Sequence, residues 1–415
     1  MNRRGITRRD FGKVGLAASF AAWTARRAAA ETNADTLKIG LIGCGGRGTG
    51  AARDILNERN ENVQLIALAD VFEDRLNDCR NSLENDGNEA ISGRTNVDDE
   101  HCFVGLDAYQ RLLETDVDVV LNATPPYATP RHIEAIIDAG NHVFAEKPVA
   151  VDPVGIRQVI AAADRAEEQG LSFVAGTQRR HQQEYIQTIE QIHDGAIGEI
   201  LSMQAYWCGG YPWSRGREEG WSDLEYRIRN WNFYSWTSGA NIVEQHVHNL
   251  DVMNWVKNDH PQSVFASGGR AWLPEEEIYG DIWDNFSCDF EYPDGTHMYS
   301  FSRWWPAGTD GGVHERVTGS EGVSSCTDMG ESGVNPYVQE QINLVNSLRD
   351  EGPYYNEGRQ IAYSNLAAIM GRMSAYTGRR ILWEEAMESD LSLVPDELDF
   401  DQEYPVGPIP VPGDA

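Results

Sequence analysis

Lys147 and its neighbours form the first place in the sequence where proton chemistry could occur. Lys147 follows Glu146 and precedes Pro148, just after an apolar stretch (142–144) that predicts a strand. The chain has only four lysines, so an amine at the end of a predicted strand suggests a function. A lysine removed from water can donate a proton or hold a hydroxyl group. An exposed lysine beside a turn-forming proline is the alternative interpretation.

Titratable side chains at helical spacing form the second such place. Glu244, His248 and Asp251 recur at i, i+4 and i+7. With Trp255 they lie on one face of a helix predicted over residues 240–256. An imidazole titrates near neutral pH and can remove a proton from a hydroxyl, and Glu244 one turn away could orient His248. For Asp251, packing or capping is an equally good explanation.

The histidines and cysteines do not predict a metal site. His246 and His248 would make a ligand pair on a strand, but residues two apart on a helix point in different directions. A zinc hydrolase therefore stays only as an alternative. For His246, packing is as good an explanation as substrate contact. The six cysteines show no Cys-x-x-Cys spacing, which excludes a zinc ribbon and leaves one or two disulfides open.

A glycine-rich turn follows the first predicted strand (37–42) and opens a helix. Gly43, Gly45 and Gly48 match the G-x-G-x-x-G pattern, whose glycines permit a tight turn, a close pyrophosphate and close helix packing. Asp70 ends the second predicted strand, where an acid accepts hydrogen bonds from the ribose hydroxyls of adenosine. This context predicts a dinucleotide site rather than a purely structural turn.

Asp70 also bears on which dinucleotide would bind. A carboxylate at this position repels a 2′-phosphate, so the sequence favours NAD over NADP. Arg47 and Arg75 lie close enough in sequence to soften that preference, and NADP stays open.

The pattern of predicted elements changes along the chain and indicates an α/β protein with two domains. Strands alternate with helices over residues 37–160, which predicts a parallel Rossmann sheet covered on both faces. Over residues 161–390 several strands follow one another without helices, which predicts an α/β domain with a large, mostly antiparallel open sheet. Residues 391–415 form a proline-rich tail.

The first thirty residues read as an export signal. Arg8 and Arg9 precede a mildly apolar run (14–23), and Ala28-Ala29-Ala30 resembles a cleavage site. The arginine pair indicates the twin-arginine pathway, which exports folded proteins and predicts a periplasmic or extracellular location. The apolar run is about half of the ~20 residues that span a bilayer, so no stable membrane anchor is expected after cleavage.

The acidic composition narrows the classes of partner. The 415 residues carry a net charge of -31, with 65 acidic against 34 basic side chains. Nucleic acid is excluded as a partner because binding phosphates needs concentrated positive charge. A surface adapted to concentrated salt and an ordinary acidic protein remain alternative explanations.

Five motifs occur in order: the turn 43–48, the run 122–126, Glu146-Lys147-Pro148, Gly195-Ala-Ile-Gly198, and Ser238, Gly239, Glu244, His248 and Asp251. Together they resemble the Gfo/Idh/MocA oxidoreductases over residues 37–385. The resemblance implies a Rossmann domain followed by an α/β domain that carries the substrate site and often the oligomer contacts. It also implies that Lys147 is the active-site lysine and His248 the catalytic histidine. Glu244 stands where many members have aspartate, which keeps a carboxylate beside His248 on a longer side chain.

The resemblance also assigns residues to the two ligands. Thr124, Pro125 and Glu146 match positions beside the nicotinamide, and Gln178 and Arg179 match a loop at the substrate. The predicted dinucleotide-binding residues are Gly43, Gly45, Gly46, Arg47, Gly48, Asp70, Thr124, Pro125, Glu146 and Lys147. The predicted substrate residues are Gln178, Arg179, Trp231, His246 and Asp251.

These observations predict an exported, NAD-dependent oxidoreductase that acts on a sugar, polyol or glycoside and holds its cofactor tightly. Three alternatives stay open: glycoside cleavage by transient oxidation and elimination, a dinucleotide-binding regulator without catalysis, and the zinc hydrolase. A sheet with one open face predicts a homodimer or homotetramer.

Overall fold

The computed structural model describes residues 36–306 and 308–413, so the predicted export signal (1–30) lies outside the described residues. The strands are β1 (Leu37–Ile42), β2 (Val63–Asp70), β3 (Cys102–Val104), β4 (Val119–Asn122), β5 (His142–Ala145), β6 (Phe173–Ala175), β7 (Ile200–Gly209), β8 (Ser263–Gly269), β9 (Asn285–Glu291), β10 (His297–Trp304), β11 (Gly312–Gly319), β12 (Val323–Ser324) and β13 (Ile381–Leu382).

The helices belong to both halves of the chain. They are α1 (Gly46–Ile55), α2 (Glu73–Glu84), α3 (Glu89–Ser92), α4 (Ala108–Leu113), α5 (Thr129–Asp138), α6 (Pro153–Gln169), α7 (Gln183–His193), α8 (Asp223–Arg229), α9 (Ser235–Ser238), α10 (Asn241–Glu244), α11 (Val247–Lys257), α12 (Pro336–Leu348), α13 (Gly358–Thr377) and α14 (Trp383–Glu388).

The first sheet has six strands in the order β3-β2-β1-β4-β5-β6, and every pair is parallel. Its central strands are apolar and buried because helices cover both faces, as predicted for a Rossmann domain. The sequence places residues 173–175 in the second domain, but in the structure they form β6, which pairs with β5. The boundary predicted at residue 160 therefore moves to a point after residue 175.

The second sheet has seven strands in the order β12-β11-β7-β10-β9-β8-β13. All its pairs are antiparallel except β7 with β10, which agrees with the predicted mostly antiparallel sheet. Side chains of β9 and β10 alternate between buried and more exposed, so one face packs against helices and the other stays open. Apolar residues on the open side include Phe265, Tyr299 and Phe301.

The helix predicted over residues 240–256 is interrupted. α10 ends at Glu244, and α11 begins at Val247 after Gln245 and His246. Gln245 departs from ideal helical geometry with φ -109° and ψ -48°. The predicted single stripe of polar side chains is therefore divided, and Glu244 and His248 belong to different helices.

Within residues 36–306 and 308–413, no helix is both long and apolar enough to span a bilayer. The same part of the chain contains no group of three or more His, Cys, Asp or Glu side chains placed to hold a metal ion.

Candidate active site

A cavity of about 870 Å³ lies at the carboxyl ends of the Rossmann strands and is closed on its far side by the second domain. Gly43 and Asp70, which follow or end β1 and β2, line one end of it. Lys147, after β5, and His248, on α11, line it as well. Ligands of open parallel sheets bind at this edge, where the strand order reverses.

The glycine turn has the geometry that the sequence predicts. Gly43 has φ +92°, which is left-handed, and an added Cβ would meet the Ala123 backbone at 2.8 Å. A Cβ on Gly48 would lie 1.8 Å from the Gly43 carbonyl oxygen, so Gly48 permits contact between α1 and the turn. Cβ atoms on Gly45 and Gly46 would meet nothing within 4 Å, because these residues face the cavity. The turn therefore leaves room for a pyrophosphate at the N-terminus of α1.

Gly48 packs against backbone and Gly45 faces the cavity, so an alanine should have different effects at the two positions. Gly48→Ala should lower the free energy of unfolding of the cofactor-free protein by about 1–3 kcal/mol, because the methyl group overlaps backbone. Gly45→Ala should leave that stability unchanged and weaken NAD binding, because its methyl group occupies the cavity. Thermal unfolding and NAD titration of both variants measure this. An equal loss of stability in both variants would contradict the assigned positions.

Backbone amides near the glycine turn fix the position of the Asp70 carboxylate. Its carboxylate accepts hydrogen bonds from the Cys44 amide (2.7 Å) and the Phe72 amide (2.9 Å). Burial raises the pKa of Asp70 from its ordinary value. Asp70 still lines the cavity, so its oxygens can accept further hydrogen bonds from ribose hydroxyls. The turn and Asp70 together fit a dinucleotide.

Arg47, at the other side of the turn, forms ion pairs with carboxylates. Its guanidinium donates to Glu146 (2.6 Å) and to Asp54 (3.0 Å), and Tyr337 lies against it. Glu340 is fully buried nearby, where burial and the charge of Glu146 raise its pKa well above the usual value. Arg47 thus fixes Glu146 in the cavity wall, and its charge is already balanced.

Lys147 and Glu244 form a pair across the cavity. The Lys147 ammonium donates to the Glu244 backbone carbonyl (2.6 Å) and to the Glu244 carboxylate (3.2 Å), and both side chains are less than 15% exposed (14% and 12%). Glu244 Oε2 is buried and has no hydrogen-bond partner among the described residues. The prediction that Glu244 orients His248 is therefore replaced: after the break in the helix, Glu244 holds Lys147.

His248 presents a neutral imidazole to the same cavity. Its ring stacks on Trp207, with centroids 5.8 Å apart, and Nδ1 is buried without a partner in the described part of the chain. Burial, and then the positive charges of Lys147 and Arg179, lower the pKa of His248 well below 6.5. At neutral pH the ring can therefore accept a proton.

The depressed pKa of His248 predicts the acid limb of the pH profile. The imidazole accepts a proton only when neutral, so kcat/KM for oxidation should stay level from pH 8 down through 6.5 and fall only below that. Initial rates across this range, with stability checked at each pH, measure it. A loss of rate centred at or above pH 6.5 would show that the active base has an ordinary pKa.

Several other predicted residues reach the cavity. Thr124 and Pro125 line it beside the glycine turn, and the Thr124 hydroxyl donates to Asn122 (3.0 Å). Gln178 lines it and donates to the Tyr337 hydroxyl (3.3 Å). Trp231 lines it together with Trp213, which it meets edge to face at 6.4 Å.

Three predicted substrate residues lie outside the cavity lining. Arg179 forms a largely buried ion pair with Glu315. His246 is fully buried and its Nε2 lies 2.6 Å from the Ser300 hydroxyl. Asp251 accepts a hydrogen bond from Arg180 Nε (2.8 Å) and is itself buried. Their contacts correct the substrate prediction: all three side chains are used inside the second domain.

Sequence reasoning missed two groups that line the cavity. His132, on α5, faces it, and burial, with Arg131, lowers its pKa to about 3. Val394 and Leu398 come from the proline-rich tail. No spacing in the sequence connects these residues to the glycine turn, because only the folded chain brings them together.

Comparison with known proteins agrees with this geometry. A family model described as the oxidoreductase family with an NAD-binding Rossmann fold matches residues 37–174, and the GFO/IDH/MocA C-terminal domain matches residues 185–324. The chain belongs to the Gfo/Idh/MocA oxidoreductase family. The predicted family and fold are confirmed, and so is NAD as the class of cofactor.

Individual relatives are distant. The chain is 27% identical over 225 residues to 2,7-anhydro-N-acetylneuraminate hydratase of Mediterraneibacter gnavus, a match that covers 52% of the chain and only about half (54%) of the relative. It is 25% identical over 251 residues to myo-inositol 2-dehydrogenase of Thermotoga maritima, covering 59% of the chain and 62% of the relative. A solved scyllo-inositol dehydrogenase from Lactobacillus casei shares the fold with a TM-score of 0.64 at 18% identity, covering 84% of this chain and 99% of the other.

Proposed function

We propose that this chain is an NAD-dependent oxidoreductase acting on a CH–OH group of a sugar or polyol. The observation that carries the proposal is that Lys147 and His248, from different domains, line one cavity with the glycine turn. Two relatives support the substrate class, because one is named a myo-inositol 2-dehydrogenase and the other a 2,7-anhydro-N-acetylneuraminate hydratase.

The residues of the chain manage the proton and the position of the substrate. In oxidation, the reacting carbon loses a hydride and its hydroxyl loses a proton, which leaves a carbonyl. His248, neutral in its buried position, accepts that proton. Lys147, held by Glu244, donates a hydrogen bond to the same oxygen. A bound nicotinamide supplies the acceptor for the hydride.

A labelled substrate tests this proposal. Purified protein is incubated with NAD and a panel of sugars and polyols that carry deuterium on each CH–OH carbon in turn. Deuterium should appear in the reduced cofactor by mass spectrometry for one carbon of one substrate. Absence of transfer from every member of a broad panel, with NAD bound, would favour a regulator without catalysis.

Glycoside cleavage by transient oxidation is the second candidate. The hydratase relative favours it, because that name describes chemistry without net redox. A protein that carries its own NAD and cleaves a chromogenic glycoside without added cofactor would support this candidate. Accumulation of reduced cofactor in proportion to product would contradict it.

We further propose that the protein is exported by the twin-arginine pathway and retains its cofactor. The supporting observation is the sequence of residues 1–30, with Arg8-Arg9 and the alanines before residue 31. Replacing both arginines with lysine should leave the protein in the cytoplasm of an expressing bacterium. Export of that variant at the normal level would contradict this route.

A homo-oligomer is proposed through the open face of the second sheet. Phe265 and Tyr299 there are exposed (51% and 40%), which is costly for a monomer. Light scattering should show a dimer or tetramer, and Phe265→Glu with Tyr299→Glu should shift it toward monomer. A wild-type monomer at micromolar concentration would contradict the proposal.

A further inference from the structure

The proline-rich segment, defined here as residues 391–413, starts on the N-terminal domain. The Leu393 amide donates to the side chain of Asp152, the residue that caps α6 (2.7 Å). Arg131, on α5, donates to the Asp396 carbonyl (3.2 Å). The segment contains five prolines, which restrict its backbone: Pro395, Pro405, Pro408, Pro410 and Pro412.

The same segment then attaches to the second domain. The Tyr404 amide donates to the Asp223 carboxylate (2.9 Å), and Arg227 donates to the Tyr404 carbonyl (3.1 Å). The Tyr404 ring stacks on Trp236, with centroids 6.2 Å apart. Trp283 donates to the Pro410 carbonyl (3.1 Å). The segment therefore crosses from one domain to the other.

At the crossing, two apolar side chains of the segment face the cavity. Val394 and Leu398 are half-buried and line it. They pack in one apolar cluster with Val71, Phe72 and Leu106. Val71 and Phe72 directly follow Asp70, and Leu106 comes just after β3. This is the adenosine end of the cavity, since Asp70 is placed to hold the ribose hydroxyls.

We propose that Val394 and Leu398 contact the adenosine half of the bound dinucleotide, and that the proline-rich segment slows its release. The inference rests on the proposed NAD-dependent function. An adenine buried against apolar side chains is stabilised by the water it excludes. The segment is anchored on both domains. Release of the cofactor therefore requires that these anchoring contacts break, or that the cofactor loses its contacts with Val394 and Leu398.

Release of reduced NAD measures the effect directly. Protein loaded with NADH is mixed with excess NAD, and the loss of bound nicotinamide fluorescence gives the release rate. The double variant Val394→Ala with Leu398→Ala should release NADH about tenfold faster, because two apolar contacts are shortened. The matched control, Val406→Ala with Val411→Ala, changes exposed valines of the same segment outside the cavity and should release it at the wild-type rate.

Binding of cofactor fragments shows which half of the dinucleotide Val394 and Leu398 contact. The Val394 and Leu398 double variant should bind ADP-ribose more weakly and nicotinamide mononucleotide as tightly as the wild type. In the wild-type protein, ADP-ribose should slow hydrogen exchange of the amides in residues 393–404, a readout that needs no variant. Equal release rates in both double variants, with exchange unchanged by ADP-ribose, would overturn the inference alone. A wild-type protein that binds no NADH would overturn the proposed function as well.

Discussion

Replacing Lys147 with methionine should lower kcat for oxidation by about 10²–10⁴-fold while NAD still binds with an affinity within about threefold of the wild type. The ammonium makes the hydrogen bonds of this side chain to Glu244, and methionine keeps much of its volume without its charge. The reacting oxygen then loses its hydrogen-bond donor, whereas the glycine turn and Asp70 stay as they are. Steady-state rates and NAD titration of the variant measure both quantities.

Lys257→Met is the matched control for this experiment. Lys257 is buried to a similar degree (12% exposed) and pairs with Asp294, but it lies at the end of α11 and outside the cavity lining. Its replacement should cost some stability and leave kcat unchanged. A Lys147→Met enzyme with more than about a tenth of the wild-type kcat would exclude this amine from proton management.

His248→Asn should lower kcat by a similar factor, about 10²–10⁴-fold, and should remove the acid limb of the pH profile. Asparagine fills part of the space against Trp207 but cannot accept the proton of the substrate hydroxyl. The residual rate should then rise with pH, as hydroxide or water takes over the proton transfer. Rates from pH 5 to 9 for the variant and the wild type measure this.

His246→Asn is the matched control for His248→Asn, because it removes a neighbouring imidazole that lies outside the cavity. His246 is buried and forms a hydrogen bond with the Ser300 hydroxyl, away from the cavity. Its replacement should therefore lower the free energy of unfolding by about 1–3 kcal/mol and leave kcat unchanged. If His246→Asn lost as much activity as His248→Asn, the assignment of roles to these two histidines would be wrong.

Local patterns were sufficient to predict part of this molecule. The glycine turn, Asp70 and Lys147 are fixed by the strand ends that they follow, and strand ends can be recognised from short apolar runs. Helical spacing correctly placed Glu244 and His248 at the same cavity. It wrongly predicted that Glu244 orients His248 from one turn away on a single helix. The interruption at Gln245 turns Glu244 toward Lys147, and no helix-breaking glycine or proline marks that point.

Contacts between distant parts of the chain could not be predicted. β6 joins the Rossmann sheet across the long helix α6, and α12 packs on α1 although almost 300 residues separate them. The proline-rich segment reaches the adenosine end of the cavity in the same way. Arg179 and Asp251 show the converse: each is a polar side chain at a plausible position, and each is neutralised by an ion-pair partner that only the fold brings near.

A crystal structure of the protein with NAD and a bound polyol tests the central claim most directly. One hydroxyl oxygen of the polyol should lie about 3 Å from both the Lys147 ammonium and a His248 ring nitrogen, with its carbon facing the nicotinamide. A polyol whose reacting oxygen meets only one of these groups, while the other faces away from the cofactor, would contradict the mechanism.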